Sequence, residues 1–219
     1  MFSHVSYRRR MIDRDLFRYR HLLKGRVLDL GGGRTRGAFP HGKLLSWIVL
    51  DEDIRLKPSV VGDGQMLPFL NNSFDAVKSS ELTGYLFEPL KMIQEIARIL
   101  KPGGHAVITS PFLTPFDREQ HDGIRLTSAW WDWAAKKTGM RIEKIEAQGY
   151  LFTIFIDAKR YWISHWWYPF RYLAYFFVYP LYDLVFWIEQ HGGVPKYLKR
   201  FSGGFLIVLK KSEKKKDTQ

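Results

Sequence analysis

Short apolar runs that end in glycine or acidic residues alternate with stretches of helical spacing through most of the chain. Val27-Leu28-Asp29-Leu30 runs into Gly31-Gly32-Gly33 and reads as a buried strand entering a tight turn. Residues 47–50 before Asp51-Glu52-Asp53, and residues 59–61 before Gly62-Asp63-Gly64, repeat that form, and residues 73–78 lead into a fourth strand. Leu90, Ile93, Ile96, Ala97 and Leu100 share one face of a helix predicted over 89–100. Lys101-Pro102-Gly103-Gly104 stops it, and 105–109 is a fifth strand. Thr127 or Ser128 caps a helix through Lys137, strands follow near 141–147 and over 204–209, and 13–23 is helix-like.

Strands alternating with helices predict an α/β fold: a doubly wound, mainly parallel, seven-stranded Rossmann-like sheet. Ligands of such sheets sit beyond the carboxyl ends of the strands. Asp29, Asp51 and Asp63 fall at or just after successive strand ends, so they are expected to converge on one crevice.

Residues 161–190 break the alternation. They hold 14 of the 35 aromatic residues, and Arg171 and Asp183 cut them into uncharged runs of ten, eleven and five. Runs of that length suit an interfacial segment better than a spanning helix, and Pro169 and Pro180 are expected to break any helix there. Tryptophan and tyrosine favour the headgroup layer. Charge points the same way. The chain carries 34 Lys/Arg against 22 Asp/Glu, with the whole excess of +12 in residues 1–26 and 194–219. Basic ends of this kind seek phosphate on an anionic membrane or in nucleic acid. The expected organisation is a basic N-terminal helix (1–24), an α/β domain (25–150 and 203–211), an aromatic membrane-interacting insertion (151–202) and a basic disordered tail (212–219). No apolar leader is visible, so the expected location is cytoplasmic, at the inner face of the cell membrane. A homodimer through the insertion is the competing use of its aromatics. Without cysteine, a disulfide framework and thiol chemistry are excluded, and the seven histidines show no metal-ligand spacing.

The glycine loop lacks the Gly-Lys-Ser/Thr of a phosphate-binding P-loop, and Arg36 stands where a dinucleotide loop wants glycine. The acidic strand ends suit a cationic ligand instead. Val27-Leu28-Asp29-Leu30-Gly31-Gly32-Gly33, then Asp51, then Gly62-Asp63-Gly64-Gln65-Met66-Leu67-Pro68-Phe69 resemble class I S-adenosylmethionine-dependent methyltransferases. Ser73-Phe74-Asp75-Ala76-Val77 and Glu95-Ile96-Ala97-Arg98-Ile99-Leu100-Lys101-Pro102-Gly103-Gly104 complete the set. Thr35 departs from it, standing where many members carry a third glycine. The resemblance implies S-adenosylmethionine as cofactor. Asp29, Gly31 and Gly33 would hold its methionine end, Asp51 its ribose hydroxyls, and Asp63, Gly64 and Met66 its adenine. Backbone near Ser80 would approach the methionyl group.

The stretch after the fifth strand, with Pro111-Phe112, Pro115 and Asp122-Gly123-Ile124-Arg125-Leu126-Thr127, resembles methyltransferases of bacterial cell-surface polysaccharide pathways. Their histidine aligns with Asp117, while His121 lies four residues on, so both are candidates for a general base toward a hydroxyl acceptor. Glu81, Tyr85 and Arg125 are candidates to face substrate. Asp122 and Arg125 also read as a loop-fixing ion pair, and Thr127 as a helix cap. The expected reaction is methyl transfer to a small or lipid-linked acceptor, a saccharide hydroxyl favoured, at a membrane surface. An RNA methyltransferase or nucleic-acid binder using the basic termini, and a non-catalytic scaffold on this fold, are the alternatives.

Overall fold

The computed structural model describes residues 5–33, 44–115 and 122–213. Ser6 accepts the Arg9 N–H at 3.1 Å and opens α1 (Tyr7–Arg18), six residues before the position expected from the sequence. Three successive arginines hide its apolar stripe in the sequence, yet Tyr7, Met11, Ile12 and Leu16 are all buried.

The strands are β1 (Gly25–Leu30), β2 (Leu44–Asp51), β3 (Val60–Val61), β4 (Phe74–Ser80), β5 (Leu100–Pro111), β6 (Met140–Ala147) and β7 (Gly204–Lys211). They form one sheet in the order β3-β2-β1-β4-β5-β7-β6, with β1 to β5 parallel and β7 antiparallel to both neighbours. This is the doubly wound, mainly parallel architecture that the alternation of strands and helices predicts. Helices α2 (Pro89–Ile99) and α3 (Ser128–Thr138) cover one face. Lys101-Pro102-Gly103-Gly104 is less of a break than expected. Leu100 already pairs with Phe74, the register shifts, and regular pairing resumes at His105 opposite Ala76. Strand pleating sorts the core by period two. Leu28, Leu30, Val77 and Ile108 face α2 and α3, while Val27, Ala76 and Val107 face α1. Ile96 of α2 is fully buried, and such burial contributes roughly 1.5–3 kcal/mol.

Between β6 and β7 the chain forms α4 (Leu151–Ser164), α5 (Tyr168–Phe177) and α6 (Tyr179–His191). Pro169 and Pro180 stand in the first turns of α5 and α6, where a missing N–H breaks no helical bond, so the expected breaks appear as two helix starts. Among the described residues no helix is long and apolar enough to cross a membrane. Two carboxylates, the buried Glu189 and the half-buried Asp157, stitch the insertion together. Glu189 of α6 accepts the N–H groups of Tyr150, Phe152 and Thr153 at 3.2, 2.8 and 3.1 Å, capping α4. Asp157 of α4 in turn accepts those of Tyr7 and Arg8 at 2.8 and 2.9 Å, capping α1. Both carboxylates sit at the positive end of a helix dipole.

Candidate functional site

The parallel strands aim their carboxyl ends at one side of the sheet. Gly31 and Gly33, just past β1, have φ of 69° and 50°, a region that only glycine enters at no steric cost. The Gly33 N–H donates to Asp51 Oδ2 at 3.1 Å and the Asp53 N–H to Oδ1 at 3.0 Å, so the end of β2 fastens the loop. Each carboxylate oxygen retains a lone pair for a further donor. Asp63 is exposed after β3, accepting the Gln65 N–H at 2.8 Å, and Met66 beside it is 75% exposed. Gly64 is buried, its α-carbon facing Leu30 and Leu82.

Asp29 does not join this group as expected. Lys78 Nζ donates to both of its carboxylate oxygens at 2.9 Å, and both side chains are buried. The pairing follows from register, since Asp29 and Lys78 are partners across β1 and β4 on the face turned to α1. Such a buried pair neutralises itself, and breaking it by removing one partner is costly. The expected convergence of three carboxylates is therefore a pair, Asp51 and Asp63, with Asp29 anchored beneath the loop. On the opposite face, Ser79 Oγ is buried without a hydrogen-bond partner, and Ser79 pairs with Leu30 immediately before Gly31. An orphaned hydroxyl beside a glycine turn, with Asp51 and Asp63 as acceptors, is a donor and acceptor set that fits an adenosyl amino-acid cofactor.

Beyond Ser80, whose hydroxyl lies 3.1 Å from Thr109 Oγ1, the chain turns through Glu81 in the left-handed region, φ 64°. The following 3-10 turn, Leu82–Tyr85, joins two places. Leu82 packs against Gly31 and Gly64, whereas Glu81 and Tyr85 line a cavity of about 820 Å³ on the other side. The cavity lies under α1 and α4, with Phe112, Leu113, Ile154 and Tyr161 supplying much of its apolar wall.

Its polar groups come in pairs. Arg8 Nη1 and Nη2 donate to the two oxygens of Glu81 at 2.5 and 2.9 Å. Arg125 donates both amino groups to Asp122, the second at 2.6 Å, which holds its guanidinium more firmly protonated. A side chain at Gly84 would come within 3.1 Å of Asp122 Oδ1, so a glycine there lets the pair close against the turn. Arg125 therefore both fixes its loop and lines the cavity, and Thr127 caps α3 by accepting the Trp130 N–H at 3.3 Å. Asp157, also in the wall, has its carboxyl pushed up by burial, against the lowering effect of the two N–H groups it accepts.

Glu81, Tyr85 and Arg125, named from the sequence as candidates to face substrate, line one cavity. Both base candidates, Asp117 and His121, lie outside the described residues. Arg8, Asp157 and Tyr161 were not foreseen. Arg8 meets Glu81 across 73 positions of sequence, and its place in a basic run reads as solvent-facing.

Residues 48–108 match the family model described as methyltransferase domain. A demethylmenaquinone methyltransferase of Corynebacterium efficiens is 35% identical over 99 residues, 41% of this chain and 43% of that one. The match thus spans less than half the length of the relative. Among solved structures, a Bacillus halodurans protein described as a methyltransferase aligns with TM-score 0.57 at 15% identity, covering 91% of this chain and 98% of its own. The [4+2]-cyclase SpnF aligns with TM-score 0.61 at 19% identity, covering 96% and 85%. Likeness at such identity speaks for the fold, and one fold hosts more than one reaction. Residues 48–108 thus carry a methyltransferase-domain match, and the chain shares its fold with proteins described as methyltransferases, a family that takes its methyl group from S-adenosylmethionine.

Proposed function

We propose that this protein transfers the methyl group of S-adenosylmethionine to a small or lipid-linked acceptor held in the cavity under α1 and α4, at the anionic inner face of a membrane. The observation that carries the reading is the junction at residues 80–85, which joins the glycine-loop crevice to that cavity. Backbone at Gly31 and Gly33 would hold the methionine end, with Ser80 near it. Asp51 would accept from ribose hydroxyls, Asp63 from the adenine amino group, and Gly64 and Met66 would flank the ring. When bound, the sulfonium supplies an already activated methyl group. What remains for the protein is alignment, exclusion of water and, for a hydroxyl acceptor, removal of a proton. Glu81, Tyr85 and Arg125 orient the acceptor. His121, with Asp117 as the alternative, takes the proton.

Two acceptor classes compete. The loop after β5 favours a saccharide hydroxyl, and the Corynebacterium relative, by its name, favours a quinone-like ring. The aromatic wall accommodates either an apolar ring or a lipid attachment. Incubating a membrane-lipid extract with the protein and isotopically labelled S-adenosylmethionine, followed by mass spectrometry, separates them. A labelled glycolipid supports the first and a labelled quinone the second, while absence of any label refutes the reading. Both cavity arginines are already paired with carboxylates, which disfavours a polyanionic RNA acceptor. Steeply salt-dependent RNA binding would reverse that judgement.

A further inference from the structure

Helix α4 has three distinct sides. Thr153, Ile156, Arg160 and Ile163 face protein and are buried. Ile154, Asp157, Ala158 and Tyr161, spaced by three and four, line the cavity. Phe152, Phe155, Lys159 and Trp162 form a third stripe of similar spacing, and all are exposed. The insertion continues that character, with Trp167 and Phe177 at 74% and 77% exposure. Of the 27 large apolar side chains exposed among the described residues, 18 lie within residues 152–201. Apolar surface gathered in this way marks an interaction face.

Charge selects the occupant. Residues 159–200 contain six Lys/Arg and two acids. Both acids are engaged, Glu189 as the buried cap of α4 and Asp183 with Arg10 at 2.8 Å. Lys159, Lys196, Lys199 and Arg200 remain exposed. Lys159 Nζ lies 5.4 Å from the Phe155 ring centre and 5.6 Å from that of Trp162. A cation carried on aromatic bodies suits a lipid surface, the rings entering the acyl boundary while the ammonium stays among phosphates. A second copy of the chain would bring like charge against this face, whereas an anionic bilayer brings the opposite sign.

We infer that the insertion docks on an anionic bilayer through the Phe152, Phe155 and Trp162 stripe and its continuation at Trp167 and Phe177, so that the cavity opens at the lipid surface with Ala158 and Tyr161 as its rim. Tyr161 lines the cavity while 58% exposed, and Ala158 stands one helical turn before Trp162. The rim assignment rests on reading the cavity as the acceptor site, whereas the docking does not.

Flotation of the full chain with vesicles tests the docking. The protein binds vesicles of equal parts phosphatidylcholine and phosphatidylglycerol ~10-fold or more tightly than phosphatidylcholine alone. Phe155→Ser with Trp162→Ser weakens that binding ~10-fold or more, with S-adenosylmethionine affinity by calorimetry unchanged. Lys196→Glu with Lys199→Glu removes the preference for phosphatidylglycerol. A photoactivatable phosphatidylglycerol labels residues 154–162 in the wild type. Equal binding to both vesicles, unchanged binding by the Phe155/Trp162 variant, or labels confined to α2 and α3 overturns the inference. So does a wild-type dimer in light scattering that the same variant dissociates. None of these readouts involves methyl transfer, so a mistaken acceptor site would leave the docking result standing.

Discussion

Arg8 Nη2 donates to Glu81 Oε1 at 2.9 Å and thereby ties the first helix to the turn that leaves β4. Glu81 holds a left-handed conformation that costs a residue with a side chain about 1–2 kcal/mol, and its N–H donates to Thr109 O at 2.9 Å. The arginine supplies the second anchor. Arg8→Ala is expected to destabilise the fold by about 1–3 kcal/mol and to lower turnover, since it strands a half-buried carboxylate. Arg8→Lys recovers only part, having no planar fork. Urea unfolding and turnover of both variants check this; a wild-type midpoint for Arg8→Ala would count against the anchor.

Asp51 fastens the Gly33 and Asp53 N–H groups and, in the proposed function, also accepts from the cofactor's ribose. Asp51→Ala should raise the dissociation constant for S-adenosylmethionine about 10- to 100-fold, the weight of hydrogen bonds to a charged acceptor. Calorimetry measures it directly. Unchanged affinity would move the ribose away from β2.

His121→Ala should lower turnover about 10²-fold with cofactor affinity retained, the usual worth of a positioned base. A fully active variant transfers the expectation to Asp117, to be tested in the same assay.

Glu189→Ala leaves three N–H groups and the Thr153 hydroxyl of α4 without their acceptor. The expected loss is about 2–4 kcal/mol, combining a cap with buried unsatisfied donors. Glu189→Gln keeps an acceptor and loses less. Thermal unfolding of the pair ranks them, and equal midpoints would show that water replaces the cap.

Burial raises the Asp157 carboxyl above its ordinary value in the folded chain, so the native state binds this proton more tightly than the unfolded state does. Its contribution is fully present below the unfolded pKa of about 3.9 and is lost as pH rises through the raised folded value. Relative to Asp157→Asn, the wild type therefore gains stability as pH falls from neutral toward 4. Urea midpoints of both proteins across that range give the difference. A stability of the wild type minus that of Asp157→Asn that falls on acidification means the wrong sign.

The first half of the sheet was legible because its first three strands announce themselves twice, by an apolar run and by the glycine or acid that ends it. Asp51 and Asp63 followed from that pattern alone. Asp29 obeyed it as well, but its direction depends on which face of β1 it occupies and on Lys78, 49 positions away. The first helix was misplaced because its buried stripe is interleaved with arginines, one of which, Arg8, is itself only 8% exposed. The cavity wall was illegible for the same reason: Arg8, Asp157 and Tyr161 are assembled by the packing of α1 on α4, which no local spacing encodes. The prolines of the insertion were read correctly as interruptions, though not as the places where two helices begin.

The succession from Glu189 to α4, from Asp157 to α1 and from Arg8 to Glu81 makes the aromatic segment inseparable from the sheet and its first helix. Trimming residues 151–202 to obtain a smaller protein would unfasten the first helix and, with it, the residue that steadies the end of β4. An appendage in the linear map is, in three dimensions, the keystone over the cavity.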